Sequence, residues 1–202
     1  MLAALPRYGI PLMFAIGIFA FLYVLFAAGS KTNATTGLAQ FKTGALSALE
    51  IIPDPPPIPA RSFRNLAGDD VRLGDWDGKV RVVNLWATWC PPCLVEMPTL
   101  AAMQRQYGSD RFEVLAVSLD RDSDRDMAIR DLNELSDGAL QFLHDPSYGL
   151  AFDLKARGLP TTVIYDASGA ERARLPGEAD WSSAEAYGLV EMLLNERRVE
   201  AP

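Results

Sequence analysis

The chain has 202 residues, of which 49% are hydrophobic and 22% are charged, and its formal net charge is −7. It has no Lys/Arg-rich run, and its acidic balance argues against a nucleic-acid partner. With two cysteines and one histidine, it cannot build a four-ligand Cys/His zinc site without acidic ligands or a second chain. We expect one folded domain with additional segments, no nucleic-acid partner, and no resident metal or other cofactor.

The first predicted element is a membrane anchor at residues 8–29, which contain no charged residue and are rich in Phe, Leu, Ile and Ala. About twenty such residues in a helix cross the ~30 Å hydrocarbon core of a bilayer. A cleaved signal peptide is the alternative, but its apolar region is usually only ~7–15 residues long. We therefore predict a retained transmembrane helix within residues 1–29.

Residues 30–60 are predicted to link this anchor to a folded domain at residues 61–202. Leu38, Phe41 and Ile52 fall near one face of a helix, so a short amphipathic helix is one interpretation. Such a helix would lie on the membrane or pack on the domain, and a partly ordered tether is the third alternative. A proline-rich run at residues 53–59 stiffens the chain and marks the domain boundary.

The domain is predicted to contain both strands and helices. A strand at residues 80–86 is apolar at nearly every position, as is typical of a strand buried on both faces of a parallel sheet. The other predicted elements are a hairpin at 63–73, a helix at 90–107, a strand at 112–119, helices at 124–135 and 147–154, a hairpin of strands 161–165 and 172–175, and a helix from the capping box at 182–185 to about 195. This order predicts an α/β sandwich, in which helices flank a mixed central sheet.

Cys90 and Cys93 lie at the junction between the buried strand and the helix that follows it. Pro91 and Pro92 suit the first turn of that helix, where a missing backbone N–H costs nothing. The helix N-terminus favours a negative charge, so Cys90 is the predicted nucleophile and Cys93 the resolving cysteine. Half a zinc site, a structural disulfide or chance are alternatives, but closing so short a loop removes little chain entropy. We interpret the pair as redox-active.

Several segments carry a resemblance to a known family: WATWCPPC at 86–93 with EMP at 96–98, FEVLAVSLD at 112–120, GLPTTVIYD at 158–166 and GEADWSS at 177–183. They resemble the TlpA/ResA family of membrane-anchored, thioredoxin-like thiol:disulfide oxidoreductases, and TlpA most closely. The resemblance covers about residues 59–194 and implies a thioredoxin-like sandwich with an N-terminal transmembrane helix.

Glu96 follows Cys93 by one helical turn. The helix dipole alone favours an acid near a helix start, but the resemblance implies a buried, functional acid at this position. In thioredoxin a buried acid lies six residues before the first cysteine, where this chain has Asn84, which cannot take a proton. We therefore place Glu96 with Cys90 and Cys93 among the catalytic residues.

Five residues are assigned to substrate docking. Leu159 and Pro160 resemble the family's cis-proline loop, which lies against the cysteines and binds the backbone of the partner. Trp89, beside the first cysteine, is expected to join the docking surface together with Pro91 and Pro92.

The direction of electron transfer depends on how strongly the protein stabilises the Cys90 thiolate, because a stabilised thiolate makes the pair a stronger oxidant. Two prolines remove backbone donors, no basic residue lies between the cysteines, and Glu96 adds a negative charge. We therefore predict a disulfide reductase. A Cu(I) carrier that uses both thiolates and Met97 is the alternative of a different class.

Two further features are interpreted as structural. The acids at every second position of residues 120–126 resemble the start of a calcium loop, but Arg125 stands where that loop needs glycine. A turn that leads into a helix explains them better. His144 lies in a turn sequence, His-Asp-Pro, and is interpreted as structural or exposed, not catalytic.

A membrane-tethered reductase suits a compartment where disulfides form and persist, outside the cytoplasm. We therefore predict a single-pass protein of the bacterial inner membrane, with its N-terminus inside and its catalytic domain in the periplasm. The resemblance implies clients that contain disulfides, either apocytochrome c or copper-site proteins, and thus a role in cytochrome c maturation or copper-site assembly. It also implies a membrane thiol electron donor of the DsbD/CcdA kind, and we expect a monomer.

Overall fold

The structure of the protein is a computed structural model that describes residues 17–18 and 37–200. The chain divides into two compact units, Met1–Gly37 and Leu38–Pro202. The predicted anchor at residues 8–29 lies outside the described residues, except for Gly17 and Ile18, which are helical. Among the residues that the structure describes, no helix has both the length and the apolar character needed to span a bilayer.

The second unit is organised around a mixed sheet. Its strands are β1 (Glu50–Ile51), β2 (Ser62–Asn65), β3 (Asp70–Arg72), β4 (Val80–Trp86), β5 (Phe112–Ser118), β6 (Phe142–His144), β7 (Thr161–Tyr165) and β8 (Glu171–Pro176). They lie in the order β1-β8-β7-β4-β5-β6-β2-β3. The central strand β4 runs parallel to β5 and antiparallel to β7. The two predicted hairpins are therefore present at β2–β3 and β7–β8.

All seven residues of β4 are buried, as its continuous apolar run predicts. Successive side chains of a strand point to opposite faces of the sheet. Val82 and Trp86 accordingly belong to one hydrophobic cluster, whereas Val83 and Leu85 belong to a second. The sheet therefore separates two cores, and β4 contributes to both.

Helices cover both faces of the sheet, which confirms the predicted α/β sandwich. They are α1 (Pro91–Tyr107), α2 (Arg125–Ser136), α3 (Gly149–Asp153) and α4 (Ala184–Glu200). The first cluster receives buried residues from α1, α2 and α4, and the second receives Leu150 from α3. The predicted helix at residues 147–154 is shorter than expected. The Asp145 carboxylate accepts the backbone N–H groups of Ser147 and Leu150, which holds the residues before Gly149 in a turn.

The cap of α4 lies one residue later than the sequence predicts. The Ser183 hydroxyl accepts the backbone N–H of Ala186 at 3.3 Å. Ser182 remains outside the helix, because its backbone N–H and its hydroxyl both donate to the Asp180 carboxylate. An aspartate that bonds to the backbone two residues ahead forms an Asx-turn, which competes with helix formation.

Residues 38–51 pack on the domain, which is one of the three alternatives that the sequence leaves open for this part of the predicted linker. Leu38, Leu46 and Leu49 are at most 1% exposed and belong to the first cluster, and β1 pairs antiparallel with β8. The segment is not one continuous helix, since Gly44, the first residue of a single 3-10 turn (Gly44–Leu46), adopts a φ of 50°. The compact unit that contains the sheet covers Leu38–Pro202, so it includes residues 38–60 as well as the domain predicted at residues 61–202.

Replacing Leu46 with alanine tests this assignment. We expect the free energy of unfolding to fall by about 2–5 kcal/mol, because the change removes buried methyl groups and leaves a cavity. Leu66→Ala is the control, since Leu66 is 57% exposed and its loss is expected to cost no more than about 0.5 kcal/mol. Urea unfolding of both variants gives the comparison, and equal small effects would show that residues 38–51 do not contribute to the core.

Candidate active site

The two cysteines form a disulfide at the start of α1, directly after the loop that follows β4. Cys90 is the N-cap residue of α1, and its Sγ accepts the backbone N–H of Cys93 at 3.3 Å. Cys90 is 4% exposed and Cys93 is completely buried, so the predicted nucleophile is the more accessible sulfur. The place of Cys90 at the helix N-terminus and its greater exposure are both consistent with Cys90 as the nucleophile and Cys93 as the resolving cysteine.

Exposed apolar side chains flank the cysteine pair along the chain and define a candidate docking surface. Trp89, immediately before Cys90, is 58% exposed, and Val95 on the first turns of α1 is 68% exposed. Pro91 is exposed and Pro92 half-buried. A large apolar side chain in water is a common contact for a protein partner, so this surface suits docking.

A buried carboxylate holds the loop that precedes the cysteines. Asp120 accepts the Thr88 backbone N–H at 3.1 and 3.2 Å and the Thr88 hydroxyl at 2.7 Å. It also accepts the Ser118 hydroxyl at 2.9 Å, and the residue is fully buried. The sequence prediction assigned this acid only to a turn. Its position at the end of the apolar run 112–119 was the available signal for burial.

His144 is structural, within the range of roles predicted for it. Its ring is completely buried, and Nε2 lies 2.8 Å from the Asp120 carbonyl oxygen. Asp122, the next acid of the 120–126 run, pairs with Arg64. Met97, the third ligand of the Cu(I) alternative, is buried in the first cluster. Within the described ranges, no three His, Cys, Asp or Glu side chains are grouped so as to hold a metal ion.

The peptide bond between Leu159 and Pro160 is cis. Thr161, the next residue, begins β7 and pairs in register with Leu85 near the carboxyl end of β4. The cis-proline loop and the cysteine loop therefore lie at the same edge of the sheet. The Pro160 carbonyl accepts the backbone N–H of Gly177 at 2.9 Å, which fixes the loop against the segment after β8.

Glu96 is buried on α1, with 1% of its surface exposed. Its Oε1 accepts the Asn84 amide Nδ2–H at 2.6 Å. Its Oε2 accepts the Ala179 backbone N–H at 3.2 Å and the Trp181 indole N–H at 3.1 Å. Residues three apart on a helix share a face, so the carboxyl lies one turn beyond Cys93.

Burial raises the pKa of Glu96 to about 7, because the charged form is poorly solvated. The hydrogen bonds from Trp181, Asn84 and Ala179 lower the pKa in part, and the negative charge of Glu178 raises it. A carboxyl with such a pKa can hold or release a proton near neutral pH. The sequence prediction assigned no role to Ala179 or Trp181, although both lie in the 177–183 segment that carries the family resemblance.

Comparison with known proteins places this site in a family. The model of the AhpC/TSA family matches residues 56–173. The chain belongs to the AhpC/TSA family. It is 33% identical over 126 residues to the thiol:disulfide interchange protein DsbE of Pseudomonas aeruginosa, covering 61% of this chain and 67% of that one. It is 29% identical over 117 residues to the thiol-disulfide oxidoreductase ResA of Oceanobacillus iheyensis, covering 58% and 59%.

The fold is thioredoxin-like. The crystal structure of a putative DsbE from Chlorobium tepidum superimposes with a TM-score of 0.62 at 24% identity, over 69% of this chain and 96% of that one. The chain spans between about half and about two thirds of the length of the curated relatives it matches. These relatives are named for thiol and disulfide chemistry, and this chain has the disulfide-forming cysteine pair that such chemistry needs.

Proposed function

We propose that this chain is a thiol:disulfide oxidoreductase that reduces disulfides in client proteins. The observation that carries the proposal is the Cys90–Cys93 disulfide at the N-terminus of α1, with the buried Glu96 carboxyl one turn further on. The names of the DsbE and ResA relatives support the same reaction class.

The reaction starts from the reduced pair. The Cys90 thiolate attacks one sulfur of the client disulfide, which forms a mixed disulfide and releases the first client thiolate. Cys93 then loses its proton and attacks the Cys90 sulfur, which releases the second client thiolate and forms the Cys90–Cys93 disulfide. Two electrons pass from the chain to the client. We assign Glu96 as the acceptor of the Cys93 proton, because it follows Cys93 by one helical turn and its pKa is about 7.

The environment of Cys90 favours reduction of clients over oxidation. Pro91 and Pro92 supply no backbone N–H to the sulfur, which leaves that of Cys93 as its hydrogen-bond donor among the described residues. The ionised Glu96 carboxylate opposes a nearby thiolate by Coulomb repulsion in a poorly solvated site. Weak stabilisation of the thiolate destabilises the reduced form, so the pair gives up its electrons readily.

A single-turnover reaction tests this function. The reduced chain is mixed with excess insulin, quenched with acid, alkylated and analysed by mass spectrometry. We expect each Cys90–Cys93 disulfide that forms to be matched by one pair of new insulin thiols. The Cys90→Ser, Cys93→Ser double variant is the blank, and wild-type chain that stays reduced beside intact insulin would contradict the proposal.

The cellular setting is part of the proposal. The uncharged residues 8–29 support a single-pass anchor in the bacterial inner membrane. The redox chemistry of the cysteine pair supports an N-terminus inside and a catalytic domain in the periplasm, because disulfides form and persist outside the cytoplasm. The family resemblance supports periplasmic clients that receive haem or copper and a membrane thiol donor of the DsbD/CcdA kind. A monomer is part of the proposal as well.

Carbonate extraction of membranes tests the anchor. We expect full-length protein to remain in the membrane pellet, because a transmembrane helix is held by the hydrocarbon core and not by surface charge. A variant that begins at residue 37 is the control and is expected in the supernatant. Recovery of the full-length chain, or of a shortened form of it, in the supernatant would contradict a retained anchor.

A further inference from the structure

The two oxygens of the Glu96 carboxyl have partners of different chemistry. Oε2 faces the Ala179 backbone N–H and the Trp181 indole N–H. Both groups can only donate hydrogen bonds. A proton on Oε2 would therefore point at two donors and find no acceptor. When Glu96 becomes neutral, its proton belongs on Oε1.

Oε1 faces a group that can either donate or accept. The Asn84 amide donates through Nδ2 to Glu96 Oε1 at 2.6 Å and to Thr162 Oγ1 at 2.9 Å. Its own oxygen, Oδ1, is buried and has no hydrogen-bond partner in the described part of the chain. Because an amide N and O are nearly the same size, half a turn of the side-chain amide exchanges them without requiring extra space.

The turned amide fits the neutral acid. Asn84 Oδ1 would then lie opposite Glu96 Oε1 and accept its O–H, a contact that the Nδ2–H group cannot make. Thr162 fits both orientations, since a hydroxyl accepts from Nδ2–H in one and donates to Oδ1 in the other. In the unturned orientation the O–H of the neutral acid would face the Nδ2–H group, and two donors that face each other at a buried site form no hydrogen bond. The turn restores this hydrogen bond and moves Nδ2 to the position where Oδ1 has no partner among the described residues.

We propose that Asn84 is a positioning residue whose side-chain amide turns over when Glu96 gains or loses its proton, so that the acid stays hydrogen-bonded in both states. The inference rests on the proposed function in one respect, that Glu96 exchanges a proton during turnover. Asn84 contacts no client and no sulfur in this role. Burial is the main cause of the raised pKa of Glu96, and the charge of Glu178 raises it further. Cys90 and Cys93 are joined in a disulfide in the oxidised protein, so they do not titrate there.

Neutron diffraction from deuterated crystals of the oxidised protein tests the proposal, since it distinguishes a deuterated side-chain amide nitrogen from the amide oxygen directly. Data are collected at about pH 5 and about pH 9, on either side of the Glu96 pKa of about 7. At high pH we expect the deuterated Nδ2 of Asn84 to face Glu96. At low pH we expect Oδ1 of Asn84 to face a deuterated Oε1 of Glu96. One orientation at both pH values overturns the proposal, as does a Glu96 that never takes the deuteron.

Glu96→Gln is the matched control, because its amide copies the neutral acid. The glutamine oxygen is expected to take the place of Oε2 opposite the two donors, so its NH2 group faces Asn84. Asn84 should then show the turned orientation at both pH values. In solution, the side-chain NH2 resonances of Asn84 in the variant should not shift with pH, and they should match the resonances of the wild type at low pH. Resonances of Asn84 that shift with pH in the variant would contradict the proposal. A chain that turns Asn84 but fails to reduce insulin would refute the proposed function alone.

Discussion

Replacing Cys93 with serine is expected to trap the chain covalently on its client. Cys90 can still attack a client disulfide, but without Cys93 no thiol completes the exchange. Turnover on insulin should fall on the order of 10³-fold or more, as is typical when a partner of covalent catalysis is removed. In intact cells, Cys93→Ser should accumulate mixed disulfides that appear on non-reducing gels and disappear with dithiothreitol.

Cys90→Ser is the matched control for the trap. Cys93 is completely buried, so on its own it cannot reach a client disulfide. The control should therefore form no mixed disulfide, although it loses as much turnover as Cys93→Ser. Trapping by Cys90→Ser instead would reverse the assigned roles, and mass spectrometry of the trapped complexes would identify the clients.

Replacing Glu96 with glutamine is expected to change how stability depends on pH. The folded-state pKa of about 7 is raised above the ordinary value of 4.5, so between these pH values the folded protein binds more protons than the unfolded chain. The contribution of Glu96 to the stability of the wild type should therefore be greatest below about pH 4.5, fall as the pH rises to about 7, and then level off. The total loss is about 3 kcal/mol, at 1.36 kcal/mol per pKa unit.

The measurement is urea unfolding of the oxidised wild type and Glu96→Gln across this pH range. The variant keeps the shape of the side chain and lacks the titration, so the difference between the two curves isolates Glu96. The free energy of unfolding of the variant minus that of the wild type should rise by about 3 kcal/mol from pH 4 to pH 8. Parallel curves would show that the acid does not titrate in this range.

The same variant should alter the thiols. Loss of the carboxylate charge removes its repulsion of a nearby thiolate, so alkylation of the reduced pair should begin at lower pH than in the wild type. Turnover should fall at the same time, because Glu96 no longer accepts the proton of Cys93. Indistinguishable alkylation curves and equal reductase rates would remove Glu96 from the active site.

Local patterns in the sequence predicted much of this site. The apolar run of β4, the Cys-Pro-Pro-Cys junction and the spacing from Cys93 to Glu96 all depend on residues close together in the chain, where strand and helix periodicities apply. The burial of Glu96 required the family resemblance as well, since an acid near a helix start is also favoured by the dipole.

Contacts between distant segments could not be predicted in the same way. Trp181 reaches Glu96 across 85 residues and Asp120 reaches Thr88 across 32, and no spacing rule connects such pairs. Residues 38–51 show the same limit. Their apolar residues suggested a helical face, but pairing of β1 with β8 and burial of Leu46 and Leu49 are decided by the tertiary fold.

The reduction potential of the Cys90–Cys93 pair tests the central claim most directly. The chain is equilibrated in glutathione buffers of known potential, quenched with acid and alkylated, and the oxidised fraction is measured by mass spectrometry. We predict a midpoint clearly below the roughly −120 mV of a strong periplasmic oxidant and nearer the roughly −270 mV of thioredoxin. A midpoint close to −120 mV would make the pair a disulfide donor, and it would contradict the assignment of this chain as a reductase.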